Sequence, residues 1–301
     1  METVAFYSYK GGVGRTLLTA ITARFLAGAG RRVVVLDLDL EAPSLYQTLG
    51  NPASLRRAGS EESRGAIDVL LEALEGEPRK QSLQQIAIEI ELPAADNGGA
   101  LLLIPAGSAP SHAYWVALER LNVSLRSSPR NGGLPEAVLE LQARIAEEFA
   151  PDLLLIDSHP GITELGGLTT SILADRVVCL TTTAPESAQG THVIAEALRS
   201  APRLSSQKPL RIDFLVTRAV LGSWRASNVA RLLEELGSSV TVLPHDDAIA
   251  REENVLSSWE GGRLNWEGLG GEADKGLLPR TLRWITEAFP LRNQEAERRE
   301  E

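Results

Sequence analysis

The chain has 301 residues, 43% hydrophobic and 23% charged, so a substantial core is expected and a disordered or disulfide-stapled class is excluded. Its one cysteine, Cys179, lies in the apolar run VVCLT, which rules out an internal disulfide and predicts a buried thiol in a reducing, cytoplasmic setting. A net charge of −10 disfavours DNA and anionic lipid as partners; with no secretory leader at METVAFYSY and no apolar run of about 18 residues, a soluble protein is expected.

Short β-rich runs alternate with longer amphipathic stretches, which predicts an α/β fold: a doubly wound, mostly parallel sheet flanked by helices on both faces. A first strand at 3–7 leads through a glycine-rich segment into a helix at 16–28, whose apolar positions are Leu17, Ala20, Ile21, Phe25 and Leu26. A second strand at 32–36 runs into Asp37 and Asp39. Further strands are predicted at 101–104, 153–156, 177–180, 212–216 and 240–243, with helices at 66–75, 135–149, 165–173, 186–199 and 227–236. One domain over 1–301 is expected, with an irregular insertion at about 50–100, a surface loop at 124–133, a partly packed segment at 261–271 carrying Trp266 near Trp259, and a frayed tail at 294–301.

Residues 9–16 read YKGGVGRT. They match the phosphate-loop pattern GxxxxGK[ST] at Gly14 and Thr16 and depart from it at Tyr9 and Arg15. Gly11, Gly12 and Gly14 let successive backbone N–H groups converge on phosphate oxygens, and the helix that follows adds the positive end of its dipole. Arg15 keeps the charge of the usual Lys but is larger, planar and bidentate; phosphate binding should survive the exchange while hydrolysis slows. Thr16 is placed to give its hydroxyl to Mg²⁺. Asp157, ending an apolar strand, is expected to hold a metal-bound water, with Asp37 sharing that task.

The segment KGGVGRT, with Lys10 ahead of the glycines, resembles the deviant Walker A motif of the ParA/MinD family of ATPases, in the branch where Arg replaces the loop Lys. DLDLEAPS at 37–44 resembles the family's switch I, and LLLIDSHPG at 153–161 its Walker B strand and switch II. Thr217 and Arg218 stand where the family usually has an Asn that reads adenine, and LPHDD at 243–247, with Pro244, resembles the segment that closes over the base. The resemblance implies an Mg²⁺-dependent ATPase whose nucleotide touches Lys10, Gly11, Gly12, Val13, Gly14, Arg15, Thr16 and Leu17. It implies an ATP-dependent homodimer in which Lys10 reaches the partner's phosphates, an Asp39 that orients the attacking water, and switch action on a partner protein. Gly12 and Gly161 would let backbone approach the γ-phosphate. ATP is expected over GTP, since no [NT]KxD follows the strand at 212–216.

His159 lies in switch II, where this branch often has Arg, and is expected to be an ordinary loop histidine. The histidines at 112, 159, 192 and 245 have no metal-ligand spacing, and Ser158 lacks the GxSxG elbow of a hydrolase triad. A nitrogenase-reductase-like cluster needs more cysteines, and a tyrosine kinase of this fold a Tyr-rich tail. Residues 279–290 are expected to pack as a terminal helix rather than tether a membrane, because Glu287 and the acidic tail oppose lipid binding. Two other functions stay open: a nucleotide-binding scaffold without turnover, and an ATP-dependent DNA binder of the plasmid-partition type. The latter needs a basic face from Arg199, Arg203, Lys208, Arg211, Arg218, Arg225 and Arg231.

Overall fold

Val33, Val34, Val35 and Leu36 follow one another without a polar residue, as a strand covered on both faces requires. All four are buried, with the odd and even positions joining different apolar clusters. The computed structural model describes residues 1–49, 64–92, 98–126, 133–200, 209–235, 239–246, 259–260, 263–264 and 276–290.

The first half of the chain forms β1 (Glu2–Ser8), α1 (Arg15–Gly28), β2 (Arg32–Leu38), α2 (Leu45–Leu49), α3 (Ala66–Glu75), α4 (Leu83–Ile86), β3 (Ile88–Glu89), β4 (Ala100–Ile104), α5 (His112–Arg126) and α6 (Leu134–Phe149). There follow β5 (Leu153–Ser158), α7 (Glu164–Leu168) with a π-helical turn at Thr169–Leu173, β6 (Arg176–Thr181), α8 (Pro185–Ser200), β7 (Arg211–Ala219), α9 (Trp224–Glu234) and β8 (Val240–Pro244). A short antiparallel pair, β9 (Trp259–Glu260) and β10 (Arg263–Leu264), precedes α10 (Leu277–Ala288).

The sheet runs β3-β4-β2-β5-β1-β6-β7-β8 and is parallel except for the edge pair β3–β4. After β1 the chain steps to one side to build β2, and β6 to β8 later extend the other. The crevice at the carboxyl ends of these central strands is where α/β sheets bind ligands. On one face α1 and α10 cover Val4, Phe6, Val33, Val35 and Leu155. On the other, α3, α5 and α6 cover Val34, Leu36, Leu154 and Ile156, while α8 and α9 cover Val177, Cys179 and Phe214.

The predicted strands and the doubly wound sheet are borne out. The segment expected as an insertion beside the sheet at 50–100 contributes, in its described part, the buried helix α3 and the edge strand β3. Residues 124–126 of the expected surface loop belong to α5; 127–132, Trp266 and the tail at 294–301 lie outside the described residues. The terminal helix is packed: Trp284 meets Phe6 and Phe289 edge to face at centroid distances of 6.4 and 6.0 Å. No described helix is long and apolar enough to cross a membrane.

Candidate functional site

The sheet register brings two acidic strand ends together: Asp37 on β2 lies opposite Asp157 on β5, and Phe6 on β1 is the other neighbour of Asp157. Side chains alternate along a strand. Val33, Val35, Leu153 and Leu155 share a cluster with α1, so Asp37 and Asp157, two residues past Val35 and Leu155, emerge on that side. The N-terminus of α1 sits there. The helix begins at Arg15 behind Gly14, and both Gly14 (φ 91°) and Gly12 (φ 72°) are left-handed, which costs a residue with a Cβ roughly 1–2 kcal/mol. No side chain caps the helix, and the first N–H groups of a helix have no intrahelical acceptor, so the loop presents donors suited to an anion.

Arg15 is turned beneath the loop and is buried. Its Nε donates to Asp157 Oδ1 at 2.6 Å, one terminal nitrogen to Ser8 Oγ at 3.1 Å, and the other to Asp39 Oδ2 at 2.5 Å. Burial works against the guanidinium charge, but Asp157 and Asp39 overcome it and its pKa is raised. Thr16 Oγ1 donates to the second Asp157 oxygen at 2.6 Å. Asp37 accepts the N–H groups of Asp39 and Leu45 at 3.1 and 3.3 Å. Burial, reinforced by the neighbouring Asp157, drives the Asp37 pKa well up; burial also raises that of Asp157, with Arg15 and Thr16 opposing.

Asp37, Asp39 and Asp157 are buried, and among the described residues the one guanidinium that pairs with this group is that of Arg15. This surplus of negative charge on hard oxygens, with the Thr16 hydroxyl among them, fits a magnesium ion. Among the described residues no three His, Cys, Asp or Glu side chains form a ligand cage. Mg²⁺ would therefore be held by Thr16, by Asp37 and Asp157 directly or through water, and by phosphate oxygens, its usual partners.

Lys10 is exposed, its ammonium 5.5 Å from the centroid of the Tyr9 ring. That ring lies against Gly190 on α8, where a Cβ would come within 2.1 Å of Tyr9 Cδ1. A second part of the site lies beyond the loop. Gly12, Val13, Gly14 and Leu17 share an open cleft of about 100 Å³ with Thr217, Arg218 and Pro244, and Leu18, His245, Asp246 and Leu277 complete its lining. Thr217 Oγ1 lies 2.8 Å from Val13 O and 3.1 Å from Thr181 O, so its single O–H is committed to backbone carbonyls. Arg218, at φ 53°, donates to Gly12 O at 2.9 Å.

Two residues differ from the sequence reading or sharpen it. His159 is no ordinary loop histidine: its Nδ1 lies 2.8 Å from Asp39 Oδ1 and its Nε2 3.7 Å from Glu41 Oε2. Its signal in the sequence was its place two residues after Asp157; the partner is 120 residues away. Gly161 (φ 80°) donates its N–H to Ser8 O at 2.9 Å and accepts from the Tyr7 hydroxyl at 3.0 Å, which ties the loop after β5 to β1. Among the candidate DNA-binding residues, Arg211 and Arg218 stand at opposite ends of β7, about 23 Å apart at strand rise. Arg203 and Lys208 lie outside the described residues.

Residues 4–255 match the model of the CobQ/CobB/MinD/ParA nucleotide binding domain. Among solved structures, the ATP complex of a McdA variant from Cyanothece is similar at TM-score 0.63 and 18% identity, with 97% of each chain covered. MinD with Mg-ADP from Pyrococcus horikoshii aligns at TM-score 0.60 and 19% identity over 96% of each chain. The MinC:MinD cell division complex from Aquifex aeolicus aligns at TM-score 0.58 and 18% identity, over 97% of this chain and 99% of that one. At these identities the likeness is one of fold. No curated protein sequence matches the chain.

Proposed function

The chain belongs to the CobQ/CobB/MinD/ParA nucleotide-binding family, and from that premise we propose that it binds Mg²⁺–ATP, dimerises on it and hydrolyses it slowly, acting as a switch for a partner protein. The observation that carries this reading is the glycine loop at the uncapped start of α1, with Thr16 and Arg15 both bonded to buried Asp157. The loop N–H groups would hold the phosphates, and the base would lie in the cleft beside Arg218 and Pro244. Mg²⁺ supplies neutralisation of the phosphate oxygens, which is most of what phosphoryl transfer asks of a site. Asp39 would orient the attacking water. Lys10, exposed at the lip of the loop, would reach the phosphates of a second copy, so that nucleotide and dimer stabilise each other.

Size-exclusion chromatography with a nonhydrolysable ATP analogue tests this. The wild type should elute as a dimer with analogue and as a monomer without it, and Lys10→Ala as a monomer in both; nucleotide-independent elution of both proteins rejects the switch. One observation favours the scaffold reading, in which binding alone carries the signal: Arg15 is engaged by Asp157 and Asp39, so its charge is directed at the protein's own carboxylates. Phosphate release by wild type and Arg15→Lys separates the two. Turnover that appears only with Lys at this position assigns the wild type to the scaffold class.

A further inference from the structure

Asp39 is gripped from two sides. Arg15, from the phosphate loop, bonds Oδ2 at 2.5 Å, and His159, from the loop after β5, lies 2.8 Å from Oδ1. An ionised carboxylate only accepts, so Nδ1 of a neutral or charged ring must donate here. Arg15 holds only Oδ2, through one terminal nitrogen, because its Nε is engaged by Asp157 and its other terminal nitrogen by Ser8; Oδ1 is left to His159. An oxygen with two lone pairs can accept from His159 and still accept from a water.

The ring itself is held. Its second nitrogen lies 3.7 Å from Glu41, two residues beyond Asp39, so the same segment brackets it at both nitrogens. The loop behind it is fixed to β1 through the Gly161 N–H on Ser8 O and the Tyr7 hydroxyl on Gly161 O. The phosphate loop and the loop after β5 thus meet on the carboxylate of Asp39, through the side chains of Arg15 and His159.

We propose that His159 is a positioning residue for the reaction: its Nδ1–H fixes the rotation of the Asp39 carboxylate so that Oδ1 faces the attacking water. This role rests on the reading of Asp39 as the water-orienting group. It makes no new contact with nucleotide, so nucleotide affinity should be insensitive to it while turnover is not.

The test measures phosphate release with Mg²⁺–ATP and, separately, calorimetric affinity for a nonhydrolysable analogue. His159→Ala should lower kcat about ten- to a hundredfold, the upper figure being the cost of misplacing a reacting group by about 1 Å, and leave affinity nearly unchanged. His159→Asn carries an amide N–H near the place of Nδ1 and should recover most of the rate. His159→Gln puts its amide near the place of Nε2 and should stay impaired; this pair decides the matter even where the alanine variant does not fold. In the double variant with Asp39→Ala, removal of His159 should add no further loss. Wild-type kcat in His159→Gln, or losses that multiply in the double variant, overturns the proposal. Full turnover in Asp39→Ala instead overturns the reading on which it rests, and absence of turnover in the wild type overturns both.

Discussion

At the scale of single residues, Gly190 owes its identity to the Tyr9 ring. Alanine is the better helix former by about 1 kcal/mol, yet its Cβ would lie 2.1 Å from Tyr9 Cδ1 and 2.4 Å from Cγ, at the stiff root of the side chain. Overpacking of this kind costs about 1–3 kcal/mol, so Gly190→Ala is expected to lower the melting temperature and Tyr9→Leu in the same chain to restore it. A higher melting temperature for Gly190→Ala alone would mean that the ring swings aside freely. Cys179 makes a second prediction. Burial pushes its thiol up to about 12, so at pH 8 about one molecule in ten thousand carries the reactive thiolate. Alkylation should be negligible in the native protein and prompt in denaturant. The linked effect on stability has a definite sign. A thiol whose folded value lies above the ordinary 8.5 or so favours the folded state below that pH and progressively loses this contribution as pH rises towards the folded value. Cys179→Ala should flatten the fall in urea stability above about pH 9.

Elements show where sequence was informative. Continuous apolar runs bounded by Gly, Pro or charge located β1, β2 and β4 to β8, because a strand covered on both faces needs no alternation. Helix α9 begins three residues before the predicted 227, since the Ser223 hydroxyl caps it by accepting the Ala226 N–H at 3.2 Å. Helix α5 was not foreseen. Tyr114 and Leu121 are buried on it, but Trp115 and Val123 are 64% and 63% exposed, and apolar residues on both faces erase the helical period. Strand β3 has two residues, too few for a pattern. The phosphate loop and the acidic strand ends were legible because each is a local junction of strand and loop. The His159–Asp39 contact was not, because only the sheet register brings those loops together. Helix α10 gives the prediction proper to this scale: Trp284, 4% exposed between Phe6 and Phe289, should cost about 3–5 kcal/mol when replaced by alanine, read from urea unfolding.

For the whole molecule, ligand and fold are coupled by mass action. A nonhydrolysable ATP analogue at a hundred times its Kd should stabilise the folded chain by about 2.7 kcal/mol. Dimer formation would add a dependence of the melting temperature on protein concentration, absent in Lys10→Ala. With a net charge of −10 and arginines at both ends of β7, the protein should not retain nonspecific duplex DNA at physiological salt. Retention that weakens steeply with salt would restore the partition-like reading. Helix α10 joins these matters. Its first residue, Leu277, helps wall the cleft assigned to the base, and Trp284, two turns on, lies against the strand that feeds the phosphate loop. A deletion that removed this helix would strip the nucleotide of a side wall and the core of its plug at one stroke, so lost binding in such a shortened protein would report on unfolding as much as on recognition; only point changes can tell the two apart.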